Sequence, residues 1–420
     1  MQAQDLKTAF ANLNEKTSLV FQSKIKIPPS ASPEFYVDRD YNPLNELKTH
    51  LLNSPSDDKI LFTGHIGSGK STELNRFVTF PEIEEKFFVI KYSISEVLNI
   101  LDIDYIDFLL SLAAILYTSA MDAQLEFENS TLSIAANFID YFKEGKEDLI
   151  SFDSGRSLKT KVYNFFTGVT TILLREVTLR DKFRKSIQRN ITQLVNLIND
   201  LILQIKTSLP GNKELLIVID DLEKIPDVAR ADKLFNQAGS YMTTPACKII
   251  YTVPIALYYS LNFKQMADTF SEDFFLPNIN IHTQAQPVKI DPSGCMQEFL
   301  RKRLSEKLID KDAADMAIEN SAGVAREFIR ILKRSCTKAL TKERDIISYD
   351  VVAEVIAELR NEYSRGLLKR HFDVLKSIIN NQPVEDEKTL MELFHSKVVL
   401  EYRNGERWTA LNPIVKPLIK

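Results

Sequence analysis

The sequence contains few of the residues that build disulfide frameworks and metal centres. Only 3 of its 420 residues are cysteines, and Cys247, Cys295 and Cys336 lie far apart, without a CxxC pair or a cluster with histidine. This spacing argues against a disulfide scaffold and against a zinc site. We therefore expect a protein of a reducing compartment, and the cytoplasm is the predicted location.

The sequence also lacks a strong charge of one sign and a long hydrophobic run. It has 53 Lys and Arg against 57 Asp and Glu, so its net charge of -4 creates no global attraction to nucleic acid or to an anionic membrane. The most apolar run, residues 108–117, is too short to span a bilayer. The first ten residues do not form a signal pattern. We expect a globular protein without a membrane partner, in which the apolar run forms a buried helix.

A glycine-rich stretch between an apolar strand and a helix is the most specific motif in the chain. Residues 60–63 predict the strand, residues 71–78 predict the helix, and GHIGSGKS at residues 64–71 matches GxxxxGK[ST]. Glycines in such a loop let successive backbone N–H groups converge on a β-phosphate, and the helix N-terminus adds positive potential. The residues predicted to hold the nucleotide are Gly64, His65, Ile66, Gly67, Ser68, Gly69, Lys70, Ser71 and Thr72. Lys70 would reach the β- and γ-phosphates, and the Ser71 hydroxyl would ligate Mg²⁺.

A second motif supplies acidic residues for the same nucleotide. Residues 215–219 form an unbroken apolar run, typical of a parallel strand buried on both faces, and the run ends in Asp220 and Asp221. Ligands of α/β sheets bind at the carboxyl ends of the strands, so we expect Asp220 beside the P-loop, where it holds Mg²⁺ through water. Asp221 is the predicted catalytic residue that polarises the attacking water, and Glu223 is the reserve candidate for this base.

Three further sets of residues are weaker candidates. Thr252, in the buried strand predicted at residues 248–254, would contact the attacking water or the γ-phosphate; the alternative is a hydroxyl that only satisfies the strand end. Arg326 would point from a lid helix onto the γ-phosphate, unless it is an ordinary surface arginine. Tyr36 and Val37 would lie along the adenine, or else belong to the core of the first strand-like segment.

In this order, the motifs resemble a known group of P-loop ATPases. FYVDR, GxxxxGKS, the apolar run with Asp-Asp, a strand ending in Thr-Val-Pro, a GxxR helix and a winged-helix-like C-terminus are similar to the AAA+/STAND group. The resemblance implies an ATPase that uses ATP and Mg²⁺, changes conformation with its nucleotide and often oligomerises. It implies ATP rather than GTP, since no NKxD-like motif follows the Asp-Asp strand.

Two residues depart from the pattern of that group. Asp221 stands where typical AAA+ members carry Glu, which favours the STAND branch. No obvious arginine finger precedes the strand of Thr252, and Arg230 is the nearest candidate. Hydrolysis completed by a neighbouring subunit in a ring is therefore not favoured.

The remaining chain predicts helical additions to the nucleotide-binding core. An apolar stripe from Ile187 to Ile205 indicates a helix that packs on its own domain, with a partner surface as the alternative. At the C-terminus, helices at residues 367–379 and 386–395, then strands at 398–402 and 407–411 around an Asn-Gly turn, predict a winged helix.

The predicted fold class is α/β: a P-loop NTPase parallel sheet with a large helical insertion, a helical lid and a C-terminal winged helix. The predicted units are a leader at residues 1–35, a P-loop ATPase core at 36–290 with the insertion at about 95–210, a helical lid at 291–350 and a winged-helix domain at 351–420.

The favoured hypothesis is an ATP-dependent conformational switch with slow hydrolysis, as in bacterial STAND/AAA+ regulators, including those of antiviral defence. No second catalytic cluster is evident in the sequence, so a separate effector or sensor protein is expected, and a nucleotide-dependent homo-oligomer is left open.

The alternative is a DNA-binding AAA+ loader or transposition-type regulator resembling origin-recognition ATPases. The predicted recognition helix has more acids than bases, and only Arg403 and Arg407 on the wing are clear phosphate candidates. Nucleic acid is therefore not the favoured partner, and we expect the C-terminal segment to pack on the core or on another protein.

Overall fold

A five-stranded parallel sheet forms the centre of the computed structural model, which describes residues 2–21, 28–143, 157–281, 294–380 and 382–419. The strands are β1 Lys59–Gly64, β2 Phe87–Ser93, β3 Glu214–Asp220, β4 Lys248–Pro254 and β5 Glu272–Phe275, in the order β2-β3-β4-β1-β5. Every residue of β1 and β4 is buried, as expected for apolar strands that are covered on both faces.

The strand order brings the two sequence motifs to one edge of the sheet. All pairings are parallel, so β1 and β3 end at the same edge with β4 between them. The glycine-rich loop follows β1, and Asp220 closes β3. The strands predicted at residues 60–63, 215–219 and 248–254 and the α/β P-loop NTPase fold class are confirmed. Strand β5 was not predicted, because its EDFF sequence is short and half charged.

Helices cover both faces of the sheet. Ile60 and Phe62 of β1 pack in one core with α2 and α3, whereas Leu61 packs on the opposite face with helices inserted after β2. In chain order the helices are α1 Leu6–Asn12, α2 Leu44–Asn53, α3 Lys70–Phe77, α4 Pro81–Lys86, α5 Tyr105–Asp122, α6 Asn129–Lys143, α7 Leu158–Arg175, α8 Val177–Gln188, α9 Ile191–Ser208, α10 Val228–Asp232, α11 Gly239–Thr243, α12 Phe263–Thr269, α13 Cys295–Arg303, α14 Lys311–Ser321, α15 Ala325–Thr341, α16 Tyr349–Gly366, α17 Lys369–Ile379 and α18 Glu387–His395.

Helices α5 to α9 form the predicted insertion between β2 and β3. Helix α5 begins at a capping box of Asp104 and Asp107. Among the described residues it is the one helix long and apolar enough to cross a membrane, and 67% of that stretch is buried inside the protein. It packs on α7 and α9. The apolar run at residues 108–117 is therefore a buried helix, as predicted.

The apolar stripe predicted from residue 187 to residue 205 is divided between two helices. Ile187 lies in α8, and the chain leaves the helix at Arg189 and Asn190 before α9 begins. The stripe residues of α9 that are buried in the core shared with α5 are Leu194, Ile198, Leu201, Ile202 and Ile205. The predicted packing on its own domain is confirmed.

A second core is formed by α1 and α13 to α16. Helix α15 buries Phe328, Ile331 and Leu332 on one face, and the apolar face of α16 packs on α14 and α15. We call residues 294–366 the helical lid. It extends past the end predicted at residue 350 because α16 is needed to close its core. The predicted start, at residues 290 and 291, lies outside the described residues.

The segment predicted as an N-terminal leader contributes to the core of the lid. Ala3, Leu6 and Ala9 are buried there, and α1 packs on α15. The side chain of Asp5 caps α1 by accepting a hydrogen bond from the Thr8 N–H, at 2.9 Å. The first described residues of the chain therefore belong structurally with the lid.

The C-terminal unit, residues 367–419, has the predicted order of helix, helix and hairpin. Helices α17 and α18 precede β6 Val399–Asn404 and β7 Glu406–Leu411, which are joined at Gly405 with a φ of 81°. The unit packs on the parallel-sheet domain, the predicted ATPase core, since the rings of Phe394 and Tyr259 stack with centroids 3.5 Å apart. The predicted packing is confirmed, whereas the winged-helix assignment stays a prediction.

Candidate nucleotide-binding site

A cavity of about 430 Å³ opens at the edge where β1 and β3 end. Its volume lies in the range of small-molecule sites. The residues predicted to hold the nucleotide that line it are Tyr36, Val37, Gly67, Gly69, Lys70, Ser71 and Thr72. Asp220, Asp221 and Glu223 line the same cavity, and Arg326 reaches it from the lid. The structure therefore brings both sequence motifs and the lid arginine together.

The P-loop turns into α3 through glycines with left-handed backbone angles. Gly67 has a φ of 93° and Gly69 a φ of 108°, which other residues rarely adopt. A Cβ atom on Gly67 would lie 2.7 Å from the Cβ of Arg326, so the glycine also lets the lid helix approach the loop. Helix α3 begins at Lys70, which places its N-terminus and free backbone N–H groups beside the cavity.

Lys70 is buried between the P-loop and the acidic residues. Its Nζ donates to the carbonyl oxygens of Gly64, at 2.8 Å, and His65, at 3.0 Å. The same nitrogen lies 3.4 Å from Oε1 of Glu223. Burial lowers the pKa of Lys70, while the charges of Glu223 and Asp220 oppose this shift. A bound phosphate would replace these partners of the lysine.

Asp220 lies beside the first turn of α3. Burial raises its pKa, the charge of Glu223 raises it further, and a hydrogen bond with the Ser71 hydroxyl opposes the shift. One carboxylate oxygen each from Asp220, Asp221 and Glu223 lies within 4.8 Å of the others. Such crowded carboxylates are stabilised by a cation.

The donor set fits Mg²⁺. The Ser71 hydroxyl and the carboxylate of Asp220 are hard oxygen ligands of the kind this ion prefers. In addition, Oε2 of Glu223 is buried and has no hydrogen-bond partner among the described residues. Ser71 and Asp220 are therefore well placed to hold the ion, with Glu223 close to it.

Asp221 lines the cavity, but its carboxylate is engaged by neighbouring residues. Its φ is 72°, and its carboxylate accepts hydrogen bonds from the hydroxyls of Ser93, at 2.7 Å, and Ser95, at 3.0 Å, while Lys224 forms an ion pair with it. Burial alone would raise the pKa of Asp221, but the bonds from Lys224 and Ser93 hold it below its usual value. The predicted base thus already has three partners, whereas the reserve candidate Glu223 has an open oxygen.

Arg326 lies at the start of α15, directly over the P-loop. Its backbone N–H donates to the Gly67 carbonyl at 3.1 Å. Its guanidinium is close enough to Lys70 to lower the pKa of that lysine. No ion pair of this guanidinium occurs among the described residues, so its charge is available to a phosphate. The predicted sensor role fits this position and stays a prediction.

Tyr36 lines the cavity, but its hydroxyl is engaged. It donates to Glu73 at 3.0 Å and accepts from Arg76 at 2.5 Å. Val37 is buried in the lid core, where Ile279 also packs, and both face the cavity. An adenine placed along these two residues would meet the ring of Tyr36 and the methyl groups of Val37, so the predicted contact is compatible with the geometry and stays a prediction.

Arg39 is a site residue that sequence reasoning missed. Its guanidinium donates to the Ser68 carbonyl in the P-loop, pairs with Glu73 at 3.2 Å and donates to the Pro277 carbonyl at 3.1 Å. It therefore ties the segment before α2 to the P-loop. The FYVDR sequence was the available signal, but it carried no role for the arginine.

The N-terminal segment also reaches the site. Asn12 and residues 14–19 line the cavity, the Leu19 N–H donates to the Thr72 hydroxyl at 3.1 Å, and Asn75 donates to the Leu19 carbonyl at 2.7 Å. Nothing in the sequence of residues 12–19 distinguishes this segment from an ordinary loop, so its place in the lining of the cavity could not be predicted.

Other predicted residues lie behind the cavity. The Thr252 hydroxyl accepts from the Leu222 N–H at 3.1 Å and donates to the Ile219 carbonyl at 3.3 Å, so it ties β4 to the end of β3. This geometry favours the structural alternative for Thr252, and the sensor role stays a prediction. Gly64, Ile66 and Ser68 complete the P-loop without lining the cavity.

Two further side chains point elsewhere. His65 is turned into the C-terminal unit, where its Nε2 accepts from the Glu401 N–H at 2.8 Å. Its ring is fully buried, so only its backbone is left to face a nucleotide, and the predicted role of His65 in nucleotide binding stays a prediction. Arg230, the nearest arginine-finger candidate, forms an ion pair with Asp102 of the insertion.

Comparisons with known proteins give structural neighbours only. No family model matches the chain, and no curated protein matches it. Among solved structures the chain is similar to Cdc6p from Pyrobaculum aerophilum, with 14% identity over 92% of this chain and 98% of that one and a TM-score of 0.37. It is also similar to the Aeropyrum pernix ORC2 protein, with 13% identity over 92% and 95% and a TM-score of 0.42. The Thermotoga maritima RuvB Holliday junction branch migration motor matches with 14% identity over 89% and 92% and a TM-score of 0.35.

Proposed function

We propose that the chain is an ATPase of the AAA+ type that binds Mg-ATP, hydrolyses it slowly and acts as a conformational switch. The observation that supports this proposal is the meeting of three sets of residues in one cavity. These are the P-loop with Lys70 and Ser71, the acids Asp220 and Glu223, and Arg326 of the lid.

The chemistry follows from where these charges lie. The N-terminus of α3 and Lys70 would hold the β- and γ-phosphates, and Ser71 with Asp220 would hold Mg²⁺, which neutralises charge on the phosphate oxygens. Glu223, rather than Asp221, would accept a hydrogen bond from the attacking water through its open Oε2. Arg326 would contact the γ-phosphate and so distinguish ATP from ADP.

We further propose that the switch acts through a separate effector or sensor protein, as in prokaryotic STAND regulators and antiviral defence systems. This part of the proposal rests on the sequence, in which no second catalytic cluster is evident beside the P-loop and the Asp-Asp motif. Nucleotide-dependent self-association belongs to the same proposal, since such switches often assemble.

The proposal is tested by titrating Mg-ATP into the chain and into Lys70→Ala by calorimetry. Loss of the lysine removes a charged donor to the phosphates, which should weaken binding by about tenfold or more. Lys48→Ala is the matched control, because Lys48 pairs with Glu82 away from the cavity and should bind like the unaltered chain. Circular dichroism checks that both variants are folded. Absence of Mg-ATP binding by the unaltered chain would overturn the proposal.

A DNA-binding loader is the second candidate function. The order of α17, α18 and the β6–β7 hairpin favours it, because a winged helix reads DNA with such elements. DNA-stimulated hydrolysis and binding that weakens steeply with salt are expected of a loader and not of a protein-directed switch.

A further inference from the structure

His65 is a P-loop residue whose side chain serves the C-terminal unit. Its ring is fully buried and lies nearly parallel to the ring of Phe394, with centroids 6.2 Å apart and an interplanar angle of 23°. Its Nε2 accepts a hydrogen bond from the backbone N–H of Glu401 in β6, at 2.8 Å. Because burial lowers the pKa of His65 to about 3, the ring is neutral and can accept this bond at physiological pH.

The same residue holds Lys70 through its backbone. The carbonyl oxygen of His65 accepts from Nζ of Lys70 at 3.0 Å, so one residue connects the phosphate-binding lysine to strand β6. In this arrangement Lys70 is occupied by the carbonyls of Gly64 and His65 and lies near Glu223. A nucleotide phosphate must draw the lysine away from these partners.

A second set of contacts ties the same strand to the lid beside the P-loop. The Tyr402 hydroxyl donates to the Ala322 carbonyl at 2.8 Å, and Leu400 and Val324 share a small apolar core. Val324 in turn lies close to Gly67 of the P-loop. The hairpin therefore contacts the phosphate-binding loop directly through His65 and indirectly through the turn between α14 and α15.

We propose that His65 is a positioning residue that couples the P-loop to the C-terminal hairpin. Docking of the hairpin then holds the loop in the conformation in which Lys70 donates to the carbonyl oxygens of Gly64 and His65. This inference rests on the proposed binding of Mg-ATP. A contact that stabilises these hydrogen bonds of Lys70 competes with the nucleotide, because the phosphates need the same lysine. By linkage, nucleotide binding must weaken the contact between His65 and Glu401 by the same factor by which that contact weakens nucleotide binding.

Three variants separate the hydrogen bond from packing. His65→Phe keeps an aromatic ring against Phe394 but has no acceptor nitrogen, His65→Gln keeps an acceptor at similar reach but loses the ring, and His65→Ala loses both. His371→Ala is the matched control, since His371 is a buried histidine that pairs with Glu392 inside the C-terminal unit and does not contact the P-loop.

The measurements are calorimetry with Mg-ATP and hydrogen exchange of the Glu401 amide with and without nucleotide. We expect Mg-ATP to speed this exchange by about 2- to 10-fold in the unaltered chain, which corresponds to the net strength of one hydrogen bond. His65→Phe and His65→Ala should bind Mg-ATP more tightly by a similar factor. In these two variants Mg-ATP should no longer change the exchange rate of the Glu401 amide. His65→Gln should resemble the unaltered chain.

A histidine with a purely structural role would not produce this gain in Mg-ATP affinity. If His65→Phe binds Mg-ATP like the unaltered chain or more weakly, or if His371→Ala shows the same gain in affinity, the coupling is wrong although the ATPase proposal stands. Unchanged exchange at Glu401 in a chain that binds Mg-ATP also overturns the coupling alone. A chain that binds no nucleotide overturns both proposals.

Discussion

Two acidic residues that follow Asp220 have opposite surroundings, and this decides which of them can act on water. The carboxylate of Asp221 accepts hydrogen bonds from Ser93 and Ser95 and forms an ion pair with Lys224. Glu223 faces the cavity, lies 3.4 Å from Lys70 and keeps one buried oxygen open. A base needs a free lone pair within hydrogen-bond reach of its water, so the geometry favours Glu223.

We therefore expect Glu223→Gln to retain Mg-ATP binding and to lose turnover by about 10²- to 10⁴-fold, the usual contribution of a general base. Asp221→Asn should reduce turnover much less, because its main effect is on the turn held by Ser93 and Ser95. Steady-state phosphate release measures turnover, and calorimetry measures binding in the same preparations.

The opposite ranking would restore Asp221 as the base. That result is an Asp221→Asn variant that binds Mg-ATP normally without hydrolysing it, beside a Glu223→Gln variant with normal turnover. Asp220→Asn is the reference for metal binding, because it should raise the Mg²⁺ concentration required for nucleotide binding.

Motif spacing was sufficient to predict that Lys70, Ser71 and Asp220 lie in one cavity, because strand, loop and helix geometry fixes where each of these side chains lies. It was not sufficient to choose between Asp221 and Glu223. That choice depends on the left-handed backbone at Asp221 and on two serines from β2 and the turn after it. Likewise, no spacing rule shows that the ring of His65 leaves the loop toward a strand more than 300 residues later.

Among the elements, α15 connects the lid to the P-loop. Its first turn contacts the P-loop through Arg326, whereas Arg330, one turn later, pairs with Glu327 and Glu362. The two arginines share a helix but have different partners. Arg330 therefore serves as a matched control for a role of Arg326 in binding the γ-phosphate.

If Arg326 contacts the γ-phosphate, Arg326→Ala should weaken ATP binding by about tenfold and change ADP binding by less than about threefold, because ADP lacks the group that the arginine contacts. Arg330→Ala should leave the ratio of the two affinities unchanged. Calorimetric titrations with each nucleotide provide both values. An equal loss for ATP and ADP in Arg326→Ala would make this arginine a structural residue.

Helices and strands were predicted correctly where the apolar pattern of the sequence is strong. They were missed where an element depends on contacts with residues far away in the sequence. Strands β1 to β4 and helices α17 and α18 follow from local runs and periodicity. Strand β5 could not be predicted, because its pairing with β1, rather than its own sequence, makes it a strand. The packing of α1, Leu6–Asn12, on α15, Ala325–Thr341, joins segments that are far apart in the sequence, and a short amphipathic helix carries no signal for its partner.

For the whole molecule, the orientation of the C-terminal unit bears on the choice between the two proposed functions. The two arginines of its hairpin face the parallel-sheet domain: Arg403 donates to the Tyr41 hydroxyl at 2.5 Å, and Arg407 lies 3.7 Å from Asp273. Arg403 is therefore used within the chain, whereas Arg407 pairs loosely with the core and remains exposed. Exposed acids of the unit, such as Asp373, Glu385 and Asp386, weaken the attraction of its exposed basic residues to a duplex. The exposed basic residues described in the unit are Lys369, Arg370, Lys376, Lys388, Arg407 and Lys416.

We expect fluorescence anisotropy at near-physiological salt to show only weak binding of duplex DNA, with a Kd of about 10⁻⁶ M or higher, as for non-specific contacts. Lys376→Glu/Lys388→Glu alters exposed charges without touching the core and should change this binding by less than about threefold. Arg403→Glu/Arg407→Glu breaks contacts with the core, so it should lower the melting temperature and alter nucleotide affinity more than DNA affinity. Nanomolar binding with a steep salt dependence, abolished by either double reversal, would instead establish a DNA loader, because each neutralised phosphate adds to the salt dependence.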